Sequence, residues 1–143
     1  MILRTDQPYD WKELWHHTNS VLRAIETLKK GDILNEIKDW WNELSYVPDF
    51  TNALYRLTTL DATGIFHVSG SDYVNRYDWS LKAAQVFGLD QSLINPIFSH
   101  ELNLSAKRVN VNLSNEKLFK LYGIKMNGIV QGMNKMKNNF IHK

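Results

Sequence analysis
The chain has 143 residues, 43% of them hydrophobic and 22% charged, with a formal net charge of +2 and no cysteine. That length fits one domain, spanning 1–143, with a buried core, and the composition excludes wholesale disorder. The lack of cysteine excludes disulfides, thiol nucleophiles and thiolate metal sites, and agrees with a reducing compartment.

In chain order, Ile2 to Thr5 reads as a short buried strand, and Asp6 to Asp10, with Pro8 inside, as a loop. From Glu13 to Lys30 the positions Leu14, Val21, Leu22, Ile25 and Leu28 keep helical spacing. Gly31 ends that helix after two lysines suited to a C-terminus. Ile33 to Lys38 alternates loosely as a strand, and Asp39 to Glu43 is an irregular stretch holding Trp40-Trp41. Pro48 opens a second helix, since a proline in the first turn gives up an N–H that would have no partner there. Its predicted buried stripe is Phe50, Ala53, Leu54 and Leu57. Ile65 to Val68 is a compact strand closed by Ser69-Gly70. Asn75 caps a helix from Arg76 to Phe87 that turns Tyr77, Leu81 and Ala84 inward and ends at Gly88. Pro96 to Phe98 is a short extended piece. Ser114 caps a helix through Tyr122, closed by Gly123, and a last helix from Asn127 to Phe140 buries Ile129, Met133, Met136 and Phe140.

Strands alternating with helices indicate an α/β fold of few short strands, about three of them evident, and about five helices. A strand at residues 2 to 5 without flanking cover implies an exposed edge, expected to be shielded by another chain, by self-association or by a preceding N-terminal half. No apolar run approaches the ~20 residues that cross a bilayer, and the start lacks a basic-then-apolar signal pattern. The expectation is a soluble, cytoplasmic protein without membrane contact.

Metal chemistry has little support: His16 and His17 are neighbours, and adjacent helical residues point in different directions. The sequence contains no glycine-rich phosphate loop, no tyrosine followed four residues later by lysine, no Walker loop and no serine-hydrolase elbow. His67 has no carboxylate or nucleophile at a meaningful spacing. Residues 104–143 carry eight Lys or Arg against the single acid Glu116, a local net of +7. This is the pattern of solvated helix faces more than of a nucleic-acid surface, because the aromatics that would interleave with the charges are missing.

Several phrases stand in a telling order: Ile2-Leu3-Arg4-Thr5, Ser45-Tyr46-Val47-Pro48-Asp49, Gly64-Ile65-Phe66-His67-Val68-Ser69-Gly70, Arg76-Tyr77, and Lys107-Arg108 followed by Val109 to Leu118. From Ile2 to about Met133 the chain resembles the C-terminal, substrate-binding part of the dTDP-4-dehydrorhamnose reductase (RmlD-like) family of extended short-chain dehydrogenases. The resemblance implies the C-terminal half of such an enzyme, lacking most of the Rossmann sheet. A complete member reduces the 4-keto group of a dTDP-linked 6-deoxyhexulose with NADPH or NADH. The cofactor cradle and the Tyr-x-x-x-Lys proton donor would belong to an N-terminal half, so this chain is expected to bind no cofactor by itself and to be inactive alone.

The partner the resemblance implies is a nucleotide-diphosphate sugar. Gln7 and Tyr9 fall in the loop that passes nicotinamide and sugar, where the family usually has Ser-Trp-Val-Tyr-Gly and this chain has Asp6-Gln7-Pro8-Tyr9-Asp10; Gln7 replaces the tryptophan and only Tyr9 matches. Tyr46 is the pocket-lining candidate of its phrase, in which Leu44 replaces a proline, while Asp49 suits the helix N-terminus. Arg108 is the candidate ligand of the diphosphate, since a guanidinium fork donates two parallel bonds to phosphate oxygens; Val109 stands where the family has proline. Each has a plainer alternative: packing for the tyrosines, solvation or an ion pair for Arg108, and cover for a pocket or partner against simple packing for Trp40-Trp41. At the level of the whole chain, the alternatives are a non-enzymatic interaction or regulatory module and, last, a basic-tail nucleic-acid binder.

Overall fold
The computed structural model describes residues 1–12, 17–106 and 109–140, the side chain of Phe140 excepted. Its elements are β1 (Ile2–Arg4), β2 (Pro8–Tyr9), α1 (Ser20–Lys29), β3 (Leu34–Ile37), β4 (Trp41–Glu43), β5 (Ser45–Tyr46), α2 (Val47–Thr59), β6 (Ile65–His67), β7 (Tyr73–Asn75), α3 (Arg76–Phe87), β8 (Ile94–Ile97), α4 (Glu116–Tyr122) and α5 (Ile129–Phe140). The strands pair two by two: β1 with β6, β2 with β5 and β3 with β8 in parallel, and β4 with β7 antiparallel.

Two apolar clusters hold these pieces. In the first, α3 packs against both α1 and α5. Val21, Leu22, Ile25 and Leu28 of α1, Trp79, Ala83 and Ala84 of α3, and Ile129, Met133 and Met136 of α5 close around Tyr9, Leu34, Leu44 and Tyr46. In the second, Ala53 and Leu57 of α2 meet Phe66, Val68, Leu118, Ile124 and Met126. Each fully buried Leu, Ile, Phe or Met contributes about 1.5–3 kcal/mol over leaving it exposed.

Local chemistry explains where the elements start and stop. The Asn75 side chain accepts from Asp78 N–H and caps α3, and Gly88 leaves it in the left-handed conformation at φ 68°. Asn19 caps α1 through Leu22 N–H, so helix begins at Ser20; His17 to Asn19 are not helical, and residues 13–16, with Leu14 and His16, lie outside the described residues. The helix expected from Ser114 begins at Glu116, and the last one begins at Ile129.

Other expectations need larger corrections. The strands are short, as expected, but eight stand among the described residues where about three were evident, and Pro8–Tyr9 is a strand within the expected loop. Trp41–Glu43, read as irregular, is a strand paired with Tyr73–Asn75. β1 is not buried: Ile2 is 57% exposed and Leu3 only partly covered. Leu54 of the expected α2 stripe is 38% exposed, and the buried face of α3 runs through Arg76, Trp79, Ser80, Ala83 and Ala84, leaving Tyr77 and Leu81 partly covered. Among the described residues no helix is long and apolar enough to cross a membrane.

Candidate functional site
The loop after β1 carries Gln7 to the rim of a cavity of about 490 Å³. Gln7 has φ 39°, an uncommon conformation for a residue with a Cβ. Its carbonyl accepts from Ser45 N–H at 3.3 Å, and its Oε1 accepts from the Ser20 hydroxyl at 3.1 Å. These bonds tie the loop to β5 and to the first residue of α1. Ser20, Arg23, Asn35, Glu36, Trp40 and Arg76 build the polar side of the cavity; Ile97, Leu102 and Leu104 build the apolar side.

The charged centre of that wall is Glu36, only 1% exposed. Parallel pairing of β3 with β8 turns Leu34 and Glu36 to the covered side while Asn35 stays exposed. A carboxylate so placed requires partners, and it has two guanidiniums. Arg23, one turn into α1, bonds Oε1, and Arg76, at the head of α3, donates Nε–H to Oε2 at 3.0 Å. Arg76 is itself 8% exposed and lies between two indoles, its guanidinium 5.1 Å from the Trp40 ring centroid and 5.5 Å from that of Trp79. Its Nη1 has a long 3.4 Å contact with Ser20 Oγ. Truncating one partner of such a buried network costs about 3–5 kcal/mol, so its first role is structural.

Of the residues the sequence singled out, Gln7 lines this cavity. Tyr9 and Tyr46 come together elsewhere, inside the first apolar cluster, with rings 5.6 Å apart and exposures of 2% and 3%. The Tyr46 hydroxyl accepts from Asn139 Nδ2 at 2.9 Å. Burial first, and nearby carboxylates second, push both phenols above their ordinary pKa. Arg108, with Lys107, lies outside the described residues. Asp49 stands in the first turn of α2, where the helix N-terminus favours its charge, but its hydrogen bonds go elsewhere: Oδ2 accepts from the Asn127 backbone and side-chain N–H groups, and Oδ1 meets Lys135 Nζ at 3.5 Å. Of the tryptophan pair, Trp40 lines the cavity while Trp41 packs on Tyr73. Sequence reasoning missed Ser20, Arg23, Glu36 and Arg76. The available signal was Glu36 itself, an acid on the inward phase of a strand.

Two smaller spaces flank the fold. One, of about 190 Å³, lies beside Glu43, Ser71, Tyr73 and Asn115; the other, of about 300 Å³, lies beside Ile65, His67, Glu116 and Lys117. Glu43 is 3% exposed and accepts from Leu113 N–H at 2.9 Å. Burial, reinforced by the charge of Asp6, holds its carboxyl above the usual range, and burial raises Asp6 likewise. No group of three or more His, Cys, Asp or Glu among the described residues is placed to hold a metal ion. A dinucleotide fits poorly here: α1, α2 and α3 are entered through Asn19, Tyr46 and Asn75, so none of them opens on the glycine-rich turn that cradles a pyrophosphate.

No protein-family profile and no curated protein matches the sequence. Solved structures do match. A dTDP-4-dehydrorhamnose reductase from Clostridium acetobutylicum superposes with a TM-score of 0.83 at 20% identity, over 98% of this chain and 48% of its own. One from Bacillus anthracis, in complex with NADP, gives 0.81 at 19% identity, over 99% of this chain and 48% of its own. A dTDP-glucose 4,6-dehydratase from Streptomyces venezuelae, with NAD bound, gives 0.71 at 15% identity, over 99% and 44%. The chain spans about half the length of these structures, and its fold is that of roughly the C-terminal half of RmlD-like extended short-chain dehydrogenase chains.

Proposed function
We propose that this chain is the sugar-nucleotide-binding portion of an RmlD-like, NAD(P)-dependent dTDP-4-dehydrorhamnose reductase, and that these 143 residues do not turn over substrate alone. The observation that carries this reading is the cavity walled by Gln7, Ser20, Arg23, Glu36, Trp40 and Arg76, in a chain whose fold corresponds to half of such reductases. A cavity of about 490 Å³ is within the ~300–1,000 Å³ usual for small-ligand sites. It pairs polar donors with an apolar wall, as a ligand with both charged and ring-shaped parts requires. In this reading Gln7 touches the ligand. Tyr9 and Tyr46 act from behind, fixing the loop and β5 on α5. Arg108, which follows the Leu102 and Leu104 wall in sequence, is a further ligand of the diphosphate. The chemical step needs a tyrosine made acidic by a neighbouring lysine, and these residues contain no Tyr-x-x-x-Lys.

Calorimetric titration with a dTDP-deoxyhexose tests the reading. Saturable binding is expected, weakened by Gln7→Ala and by Arg108→Ala, with no NADPH oxidation above background when keto sugar is added. Absence of binding, or clear turnover by this chain alone, overturns it. One observation favours a second reading, a non-enzymatic interaction module. Ile2 and Ile65 are register partners on β1 and β6, and they remain 57% and 42% exposed. A stable protein partner displaced by Ile65→Lys, with no sugar-nucleotide affinity, would favour that reading instead.

A further inference from the structure
Resting on the proposed sugar-nucleotide reading, we infer that the anionic diphosphate of the ligand is held by Arg23 and Arg76 on the buried Glu36 carboxylate, which acts as their positioning residue. Charge balance is the first argument. Glu36 is the only acid among the described residues lining the cavity, and it faces two guanidiniums, so the wall carries one positive charge in excess. Arg76 has lost most of its water, and the excess positive charge that the two guanidiniums share over one carboxylate attracts an anion more strongly there than a solvated lysine does.

Donor geometry is the second argument. The Arg76 guanidinium lies 5.1 Å from the Trp40 ring centroid and 5.5 Å from that of Trp79, and its Nε–H is committed to Glu36. Its Nη1 makes the 3.4 Å contact with Ser20, and Arg76 is among the residues that line the cavity. Arg23 is 41% exposed at its side chain, and Glu36 anchors it from the other oxygen. One carboxylate thus sets two forks side by side, an arrangement that suits two linked phosphates better than a single carboxylate. Ser20 is the first residue of the ten-residue α1. Its helix end adds partial positive charge on the same side. Trp40, Ile97, Leu102 and Leu104 leave an apolar face beside the charges for a ring, and the volume exceeds what pyrophosphate alone would fill.

The test uses the whole chain and four probes: inorganic pyrophosphate, thymidine, dTDP and dTDP-glucose. Wild type is expected to bind pyrophosphate, to bind dTDP more tightly, and to bind thymidine much more weakly than dTDP. Arg23→Gln and Arg76→Lys should each weaken dTDP by about ten-fold or more, leaving thymidine within about two-fold, and Arg23→Gln, which removes a charge, should also flatten the salt dependence. Arg23→Gln removes one of the two partners of the buried Glu36 and is expected to lower the melting temperature, so binding is read well below the transition of each variant; Arg76→Lys keeps the charge while removing the fork. If dTDP-glucose binds but both variants hold it within two-fold of wild type, the inference falls and the sugar-nucleotide reading survives. If pyrophosphate binds in an Arg23- and Arg76-dependent way but dTDP-glucose binds no better than pyrophosphate, the anion site stands and the sugar-nucleotide reading falls. Failure of pyrophosphate and dTDP alike to bind overturns the inference.

Discussion
Gly132 shows how a single missing methyl group can hold a core together. It lies within α5, where helix propensity alone favours alanine by about 1 kcal/mol. A Cβ there would stand 2.1 Å from Tyr9 Oη and 3.2 Å from Tyr46 Cβ, and Tyr9 is too deeply buried to swing aside. Gly132→Ala should therefore destabilise the protein by about 1–3 kcal/mol in urea unfolding, with part of the loss recovered in Gly132→Ala/Tyr9→Phe. Glu43 gives a residue-scale prediction in pH. Its carboxyl is raised by burial and by Asp6, so the native state holds the proton more tightly than the unfolded chain. The stability it contributes is full below the ordinary carboxylate pKa and is lost as pH rises through the higher folded value. Glu43→Gln keeps an acceptor for Leu113 N–H and removes the charge. Its melting temperature should match wild type near pH 4 and exceed it at pH 7, and a Glu43→Gln profile as steep as wild type would refute the assignment.

Among the elements, legibility followed the range of the interactions that define them. The bounds of α3 could be read because Asn75 and Gly88 act on their own helix ends. The strand Trp41–Glu43 could not, because its partner lies some thirty residues on in sequence and the adjacent pair Trp40-Trp41 at its start breaks the alternation. The start of α5 was misplaced for a similar reason. Its first N–H groups are satisfied from a distance: Asp72 Oδ2 accepts from Ile129 N–H at 2.8 Å across 57 residues, and Asp49 holds Asn127. The site divides the same way. Gln7 was reachable through a family phrase, whereas the Arg23–Glu36–Arg76 network is assembled from α1, β3 and α3 and has no local signature. If Asp72 is the working cap of α5, Asp72→Ala should cost about 1 kcal/mol, and Asp72→Asn, which keeps an acceptor, clearly less; equal losses would point to charge alone.

On the scale of the whole molecule, the β1–β6 pair is the part the chain leaves open. Ile2 N–H bonds Gly64 O and Val68 N–H bonds Arg4 O, both at 2.8 Å. In a parallel ladder this turns the Leu3 backbone groups to the far side of β1. The inner face is sealed by Phe66, at 1% exposure, over the second apolar cluster, while Ile2 and Ile65 sit together on the outer face. Parallel sheets are ordinarily covered on both faces, and a bare edge is a template for pairing with another chain. Because Ile65 is 42% exposed and lies outside both apolar clusters among the described residues, Ile65→Lys should leave stability within about 0.5 kcal/mol of wild type. The same change should reduce concentration-dependent association measured by light scattering. A large fall in melting temperature would mean that Ile65 is covered by residues of its own chain, and unchanged association would mean that self-pairing takes place elsewhere on the surface.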